Sequence, residues 1–327
     1  MLLKLLSLAD KISVSRKGKI PKIVLRKSLC FQILPYHRVG NHADDIFDPV
    51  PTWILEKQVR HLSKYYRVKT VGQIIRHIQK GDLPSRVVAI TFDDGYRDNW
   101  EHAFPILQKY DLPATLFVST GPLETGQPLW HDVMFAAFAR TRHSGYAWGD
   151  TWLDLSSREV RQQAVQRFAA YVRTLNEEER DAAVQRACFE LQVTEAEVRN
   201  RSQMLAWDQV REMAESNVEI GAHTVTHPIL SQLSDQRQKE EITHSIDTIE
   251  KRIGKRPCVF AYPNGRDEDF NEVSIQIMKE SGIKAACTTE FGNNTRESDM
   301  LRLRRGAARL KDENGFAWQM LIYRLIE

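Results

Sequence analysis

The sequence lacks paired cysteines, a strong net charge and any long uninterrupted apolar run. Its four cysteines are scattered and form no CxxC pair, which argues against a zinc ribbon and against a secreted disulfide framework. We therefore expect buried free thiols and a reducing compartment. The formal net charge of +3 is too small to indicate nucleic acid as the main partner.

The first 27 residues are basic and amphipathic. Eight Lys and Arg side chains stand against one acid, Asp10, and the leucine-rich stretch is interrupted by Lys4 and Asp10 without a small-residue cleavage site. This pattern does not predict a signal peptide or a membrane span. Two interpretations of residues 1–30 stay open: peripheral contact of residues 1–27 with an anionic membrane, or a terminal helix packed on the domain or frayed. We expect a cytoplasmic protein, at the inner membrane face in the first case.

Short apolar runs alternate with helical patterns along most of the chain. The runs are continuous rather than alternating in polarity, which is typical of parallel strands covered on both faces. One helix is expected to begin after Ser234 and to end at Gly254, since these residues suit an N-cap and a helix end. This order predicts a parallel α/β sheet or barrel. The predicted strands are residues 31–37, 86–94, 114–120, 218–224, 258–263 and 283–289.

Residues 122–203 interrupt this alternation with helical patterns alone. Thr194 with Glu197, and Ser156 with Glu159, match capping boxes. We predict a helical insertion within one domain of residues 31–327. It would form either a wall of the cleft or a lid.

Side chains able to bind a metal or transfer protons stand at the carboxyl ends of several predicted strands. They are His37, the pair Asp93 and Asp94, His223, and Tyr262. The active site of a parallel barrel is built at that end, and residues of a packed core have no reason to collect there. The pattern predicts one active site at this face.

Asp93 and Asp94 stand next to each other in the stretch TFDDG. A turn at Gly95 would let both carboxylates approach one cleft. Two acids held close repel each other unless a cation lies between them or they have different tasks. One carboxylate is therefore expected to bind a metal and the other to act as a general base. An Asp-Gly turn with incidental acids is the alternative.

His223 and His227 have the spacing of two metal ligands. Pro228 disfavours a continuing helix after them, so a loop at the strand end is expected. Two imidazoles and one carboxylate, completed by water, make a common catalytic zinc site. We expect a divalent cation, with Zn²⁺ favoured.

TFDDGYRDN, HTVTHP and FAYPNG, in this order, resemble the motifs of the polysaccharide deacetylases with a NodB-type domain, carbohydrate esterase family 4. The resemblance covers residues 31–121 and 204–310 and implies a distorted (β/α)7 barrel. It implies that Asp93 is the catalytic base and that the metal ligands are Asp94, His223 and His227. Tyr96 and Arg97 stand close enough to contact a sugar, or alternatively only close the loop. FAYPNG implies a substrate groove shaped by Tyr262, Pro263 and Asn264.

Three positions depart from the family pattern. Ala261 stands where an arginine is common, and Asn264 where a tyrosine is common. The tail LRLRRGAARL lacks the histidine of the usual Leu-x-His motif. YHRV at residues 36–39 resembles the early motif of the poly-N-acetylglucosamine deacetylases, which implies that His37 is the general acid. A buried histidine with one hydrogen bond is the alternative.

The predicted reaction is hydrolysis of N-acetyl groups from amino sugars of a polysaccharide or glycan precursor, with release of acetate. Two other classes of function stay open. The altered motifs are compatible with a catalytically silent glycan-binding protein. A non-sugar amide is also a possible substrate, because fold and metal do not determine the substrate. His131 and Asp132 in PLWHDV could face the cleft, but nothing in the sequence requires it.

Overall fold

The computed structural model describes residues 30–41, 46–306, 315–317 and 319–320. The predicted membrane-contacting segment, residues 1–27, lies outside these ranges and stays a prediction. Within the described ranges, no helix combines the length and the apolar character needed to cross a bilayer. Cys188, Cys258 and Cys287 are free thiols, and Cys188 and Cys287 are buried.

Seven parallel strands of the described chain form a nearly closed barrel in the order β1-β3-β4-β7-β8-β9-β10, with the short β2 beside β3. The backbone N–H of Gly306 donates to the carbonyl of Ile33 at 2.8 Å, so the last strand reaches the first. The predicted distorted barrel of NodB type is confirmed. The strands are β1 (Phe31–Tyr36), β2 (Arg67–Val68), β3 (Val87–Phe92), β4 (Ala114–Val118), β5 (Gly145–Trp148), β6 (Thr151–Asp154), β7 (Val218–Ala222), β8 (Val259–Ala261), β9 (Ala285–Phe291) and β10 (Leu303–Arg305).

Helices surround the barrel. The longest of them starts after Ser234, whose side chain accepts a hydrogen bond from the backbone of Arg237, and ends at Gly254 with φ 72°. Both ends agree with the sequence prediction. The helices are α1 (Thr52–Tyr65), α2 (Val71–Lys80), α3 (Phe104–Lys109), α4 (Thr120–Thr125), α5 (Trp130–Arg140), α6 (Arg158–Val172), α7 (Glu177–Glu190), α8 (Glu195–Arg201), α9 (Trp207–Glu215), α10 (Asp235–Ile253) and α11 (Glu272–Glu280).

Alternate residues of β3 belong to two different apolar clusters. Val88, Ile90 and Phe92 pack in a cluster that includes side chains of the surrounding helices. Val87 and Ala89 pack in a second cluster with side chains of β4, β8, β9 and β10. Because both faces of the strand are covered, its sequence is apolar throughout rather than alternating.

The segment between α4 and α9 has an apolar cluster of its own. Met134, Phe138, Phe168 and Val184 belong to it, from α5, α6 and α7. The sequence predicted helices alone in this segment, but β5 and β6 form an antiparallel hairpin in which Trp148 pairs with Thr151. The prediction missed it because each strand has only four residues.

Candidate active site

Asp93 and Asp94 follow β3 at the carboxyl end of the barrel. The backbone N–H of Asp93 still donates to the carbonyl of Tyr36 at 3.0 Å. Asp94 and Gly95 then have φ values of 75° and 89°. This left-handed pair turns the chain sharply, so that the two adjacent carboxylates remain at one end of the barrel instead of pointing to opposite faces. Both side chains are buried.

Asp94, His223 and His227 form a three-residue cluster, called here the triad. Oδ1 of Asp94 lies 3.3 Å from Nε2 of His223 and 3.5 Å from Nε2 of His227, and one ligand atom of each residue lies within 4.8 Å of the others. Among the described residues, this buried Oδ1 has no hydrogen-bond partner. A buried carboxylate oxygen without a donor is costly unless a cation satisfies it. Two imidazole nitrogens and one carboxylate oxygen fit a divalent cation such as Zn²⁺.

The two histidines of the triad have different electrostatic environments. Nδ1 of His223 lies 2.6 Å from the carbonyl of Ala261; since a carbonyl only accepts, Nδ1 carries the hydrogen and Nε2 can present its lone pair to a cation. Burial lowers the pKa of His223, but the adjoining carboxylates outweigh it and raise the pKa overall. Burial and the neighbouring imidazoles hold the pKa of His227 well below its usual value. His227 is therefore neutral and able to bind a metal.

The pKa of Asp94 also depends on two opposing effects, burial and the neighbouring histidines. Burial acts to raise this pKa, but the close approach of His223 and the nearby side chains of His37, His227 and His131 hold it well below the usual range. Asp94 is therefore ionised, as a metal ligand must be.

Glu241 of α10 holds the loop that carries His227. Its carboxylate accepts the backbone N–H groups of Val225 and Thr226 at 2.8 and 2.9 Å, and the hydroxyl of Thr226 at 2.9 Å. Glu241 is fully buried, and Nη2 of Arg237 lies 2.8 Å from it. The loop predicted after β7 is present. Nothing in its sequence pointed to Glu241.

His37 follows β1 and lies on the open side of the site. Its side chain is 54% exposed, and its Nε2 lies 3.8 Å from Oδ2 of Asp93. The structure therefore places it beside Asp93 and contradicts the alternative of a buried histidine. Its role as general acid stays a prediction.

Arg305 of β10 contacts Asp93, and no local pattern in the sequence pointed to this arginine. Nη1 of Arg305 donates to Oδ2 of Asp93 at 2.6 Å, and its Nε donates to the carbonyl of Thr288 at 2.6 Å. Both members of the pair are almost fully buried. Among the described residues, Oδ1 of Asp93 has no hydrogen-bond partner. The three-residue strand that carries Arg305 is too short to stand out in the sequence.

Two residues predicted to contact substrate have buried side chains. The hydroxyl of Tyr262 donates to the carbonyl of Leu301 at 2.8 Å, and its ring stacks on Phe270 with centroids 3.8 Å apart. Tyr96 is 3% exposed and donates its hydroxyl to Asp132 at 3.0 Å. Both hydroxyls are bonded inside the protein, so these side chains hold neighbouring segments together. Sugar contact by Tyr262 or Tyr96 stays a prediction.

The other residues predicted to contact substrate differ in their exposure and in their partners. Pro263 is buried, and Oδ1 of half-buried Asn264 accepts from Arg173 at 3.2 Å. Arg97 is 44% exposed and pairs with Glu101 at 2.7 Å. It lines a separate cavity of about 310 Å³ whose lining excludes the triad. Sugar contact by Arg97 or Asn264 stays a prediction.

The insertion forms one wall of the site through the start of α5. The ring of His131 contacts that of His227 with centroids 4.7 Å apart, and Nε2 of His131 lies 3.1 Å from the hydroxyl of Tyr96. The indole N–H of Trp130 donates to the carbonyl of His227 at 2.9 Å. From the sequence, His131 could face the cleft but nothing required it, because no metal ligand stands at ligand spacing from it along the chain. These contacts support a wall rather than a lid.

The fold and the site together define a barrel hydrolase of the polysaccharide deacetylase class. The model of the family described as "Polysaccharide deacetylase" matches residues 80–286. The chain therefore belongs to the polysaccharide deacetylase family, hydrolases that act on carbon–nitrogen bonds of N-acetylated sugars. The resemblance seen in the three motifs is confirmed.

Individual relatives either have low sequence identity to this chain or match only a short part of it. YxkH of Bacillus subtilis (strain 168), whose full name describes it as a polysaccharide deacetylase, is 24% identical to this chain over 277 residues. The match covers 84% of this chain and 69% of YxkH. A poly-beta-1,6-N-acetyl-D-glucosamine N-deacetylase of Staphylococcus aureus (strain MSSA476) is 35% identical over 79 residues, only 24% of this chain and 27% of that protein.

Solved structures show the same fold. The deacetylase PplD of Streptococcus pyogenes, in complex with acetate, has a TM-score of 0.62 at 22% identity and covers 90% of this chain and 99% of its own. IcaB from Ammonifex degensii has a TM-score of 0.58 at 18% identity, with 89% and 97% covered.

Proposed function

We propose that this protein is a metal-dependent deacetylase that removes N-acetyl groups from amino sugars of a polysaccharide or glycan precursor and releases acetate. The observation that carries the proposal is that the ligand atoms of the triad lie close enough to hold one cation, next to a second buried carboxylate, Asp93, which is not part of the triad. Family membership supports the reaction class. The relative in Staphylococcus aureus, named for poly-N-acetylglucosamine, supports an amino-sugar substrate.

Each side chain of the site has a task in this reaction. A divalent cation held by Asp94, His223 and His227 would polarise the acetamide carbonyl and make the attacking water more acidic. Asp93 accepts the proton of that water through its free oxygen, Oδ1. His37, on the open side, donates a proton to the amine nitrogen as the C–N bond breaks. The products are acetate and an amino sugar that is cationic at neutral pH.

The proposal is tested by acetate release from poly-β-1,6-N-acetylglucosamine and from chitooligosaccharides. We expect acetate and new primary amines, loss of both with a chelator, and recovery with Zn²⁺. Glycan binding without acetate release would instead indicate a silent binding protein. Acetate release from simple N-acetylated amines but not from glycans would indicate a non-sugar substrate.

The base assignment has its own test. Asp93→Asn should keep zinc and lose about 10²- to 10⁴-fold in kcat, the usual contribution of a general base. Asp82→Asn, on an exposed carboxylate outside the site, is the control. Full activity of Asp93→Asn would contradict the assignment.

The basic segment of residues 1–27 supports a location at the inner membrane face, where nascent glycan would be the substrate. Sedimentation with anionic and with neutral vesicles tests this, using the whole chain and a variant without residues 1–27. Equal binding of anionic vesicles by the whole chain and by the variant without residues 1–27 would contradict this proposal.

A further inference from the structure

We propose that the outer face of α1 is a docking surface for an anionic lipid bilayer. Four exposed residues form this surface, called here the basic stripe: Trp53, Lys57, Arg60 and Lys64. The basic stripe is separate from residues 1–27 and belongs to the part of the chain that the structure describes. Its role does not depend on the reaction in the active site.

The two faces of α1 have opposite character. The buried residues of the helix are Ile54, Leu55, Gln58, Val59 and Leu62. The residues of the basic stripe are spaced by four, three and four positions, which puts them in one line along a helix. At about 1.5 Å per residue, this line is roughly 16 Å long. The helix therefore presents a continuous basic line on the side away from the core.

The basic stripe contains three cations and no acid. Within the described part of the chain, neither Lys57 nor Lys64 forms an ion pair. Glu56, the one acid of α1, lies beside the stripe and pairs with Lys109 at 2.5 Å. The charge of the stripe therefore complements the negative charge of a lipid surface.

Trp53 distinguishes the basic stripe from an ordinary solvated helix face. It is 52% exposed, and Tyr65, next to the stripe, is 45% exposed. Nζ of Lys57 lies 4.9 Å from the ring centroid of Trp53, and Nζ of Lys64 lies 5.2 Å from that of Tyr65. Rings with an apolar body and a polar edge favour the boundary between lipid headgroups and hydrocarbon. Insertion of the indole removes its apolar surface from water, while the ammonium groups stay among the headgroups.

The basic stripe begins next to the active site. The N–H and the hydroxyl of Thr52 both donate to Oδ1 of Asn41, at 3.1 and 3.0 Å. The N–H of Gly40 donates to the carbonyl of Val50 at 3.0 Å. These contacts tie the start of α1 to the segment that follows His37. A bilayer docked on the stripe therefore lies beside the open side of the site, where a membrane-attached glycan can enter.

The end of α1 lies near the start of the barrel chain. Phe31 of β1 and Arg67 of β2 pair with Val87 of β3 from its two sides. Since neighbouring strands are about 4.8 Å apart, Phe31 and Arg67 lie roughly 10 Å from each other. Residues 1–27 precede β1 and join the barrel at this end. Both basic regions can therefore contact one membrane.

Sedimentation of the whole chain tests the proposal, with phosphatidylcholine vesicles that contain phosphatidylglycerol and with phosphatidylcholine vesicles alone. We expect Lys57→Gln and Lys64→Gln each to weaken binding to the anionic vesicles about fivefold, the contribution of one basic side chain near such a surface. Trp53→Ser should also weaken this binding. Lys239→Gln on α10 and Trp152→Ser on β6, both at exposed positions, are the matched controls and should bind as wild type does.

The same substitutions in the variant without residues 1–27 separate the two basic regions. We expect the fivefold losses to persist there, because the basic stripe lies on the barrel. A second readout is the quenching of tryptophan fluorescence by brominated phosphatidylcholine in the anionic vesicles. This quenching should be larger in wild type than in Trp53→Phe.

Losses of vesicle binding no larger than those of the two controls, in either protein, would overturn the proposal. Binding to the soluble polyanion heparin without binding to anionic vesicles would also overturn it, because the stripe would then serve a different anionic partner. Acetate release plays no part in these measurements. Vesicle binding through the stripe without acetate release would refute only the proposed reaction.

Discussion

The carboxylate of Glu241 accepts both the backbone N–H and the hydroxyl of Thr226, each at 2.9 Å. This contact ties α10 to the loop that carries His227. The ligand atoms of the triad are therefore positioned by a residue that does not itself belong to the triad. Such supporting contacts commonly decide how tightly a metal site binds.

Glu241→Ala should weaken zinc binding about 10- to 100-fold, because the loop loses the acceptor that orients it. It should also destabilise the protein by about 1 to 3 kcal/mol, since two partly buried backbone donors lose their partner. Zinc titration and thermal unfolding measure the two effects. Glu240→Ala, at the neighbouring position on α10, is the control. Wild-type zinc affinity in Glu241→Ala would contradict this role.

Zinc affinity should rise with pH through the raised pKa of His223 and level off above it. In the metal-free protein His223 keeps its proton to a higher pH than a free histidine does, and the cation must displace that proton. The pKa of His227 is lowered, so this residue is already neutral in the same range. Calorimetry in buffers of different ionisation enthalpy counts the released proton. Proton release that does not depend on pH would contradict the assignment.

His37→Ala should lower kcat about 100-fold or more, because the leaving amine loses its proton donor. Zinc content should be unchanged, since His37 is outside the triad. Acetate release and metal analysis on the same preparation measure both quantities. His244→Ala, an exposed histidine on α10, is the matched control. An active His37→Ala would show that another group supplies the proton.

Trp130→Phe should weaken zinc binding about 10-fold, because it keeps an aromatic ring but removes the N–H that holds the carbonyl of His227. Trp53→Phe, at an exposed position on α1, should leave zinc affinity unchanged. Competition with a chromogenic chelator measures both variants. If Trp130→Phe bound zinc as tightly as wild type, the contact from the insertion would add no support to the triad.

The features that could be predicted from the sequence are local ones. Ser234 and Gly254 end α10 as expected, because a cap depends on residues within one turn. Thr194 with Glu197 forms the predicted capping box. Ser157, rather than Ser156, caps α6, a shift of one residue between two adjacent serines that local pattern alone does not resolve.

The buried state of Tyr262 and Tyr96 was not predictable in the same way. A tyrosine after a strand end has the same sequence signature whether its hydroxyl faces a groove or a core. The hydrogen-bond partner of the hydroxyl determines which of the two applies. These partners, Leu301 for Tyr262 and Asp132 for Tyr96, are distant in sequence.

The sequence by itself determined the alternation of strands and helices, the turn after β3 and the four-residue spacing of His223 and His227. These depend on periodicity and on backbone preferences of neighbouring residues. Only the tertiary structure decided which residues hold the site. Arg305 reaches Asp93 across 212 positions, and such a contact exists only after the barrel closes, because no local property of either residue specifies its partner.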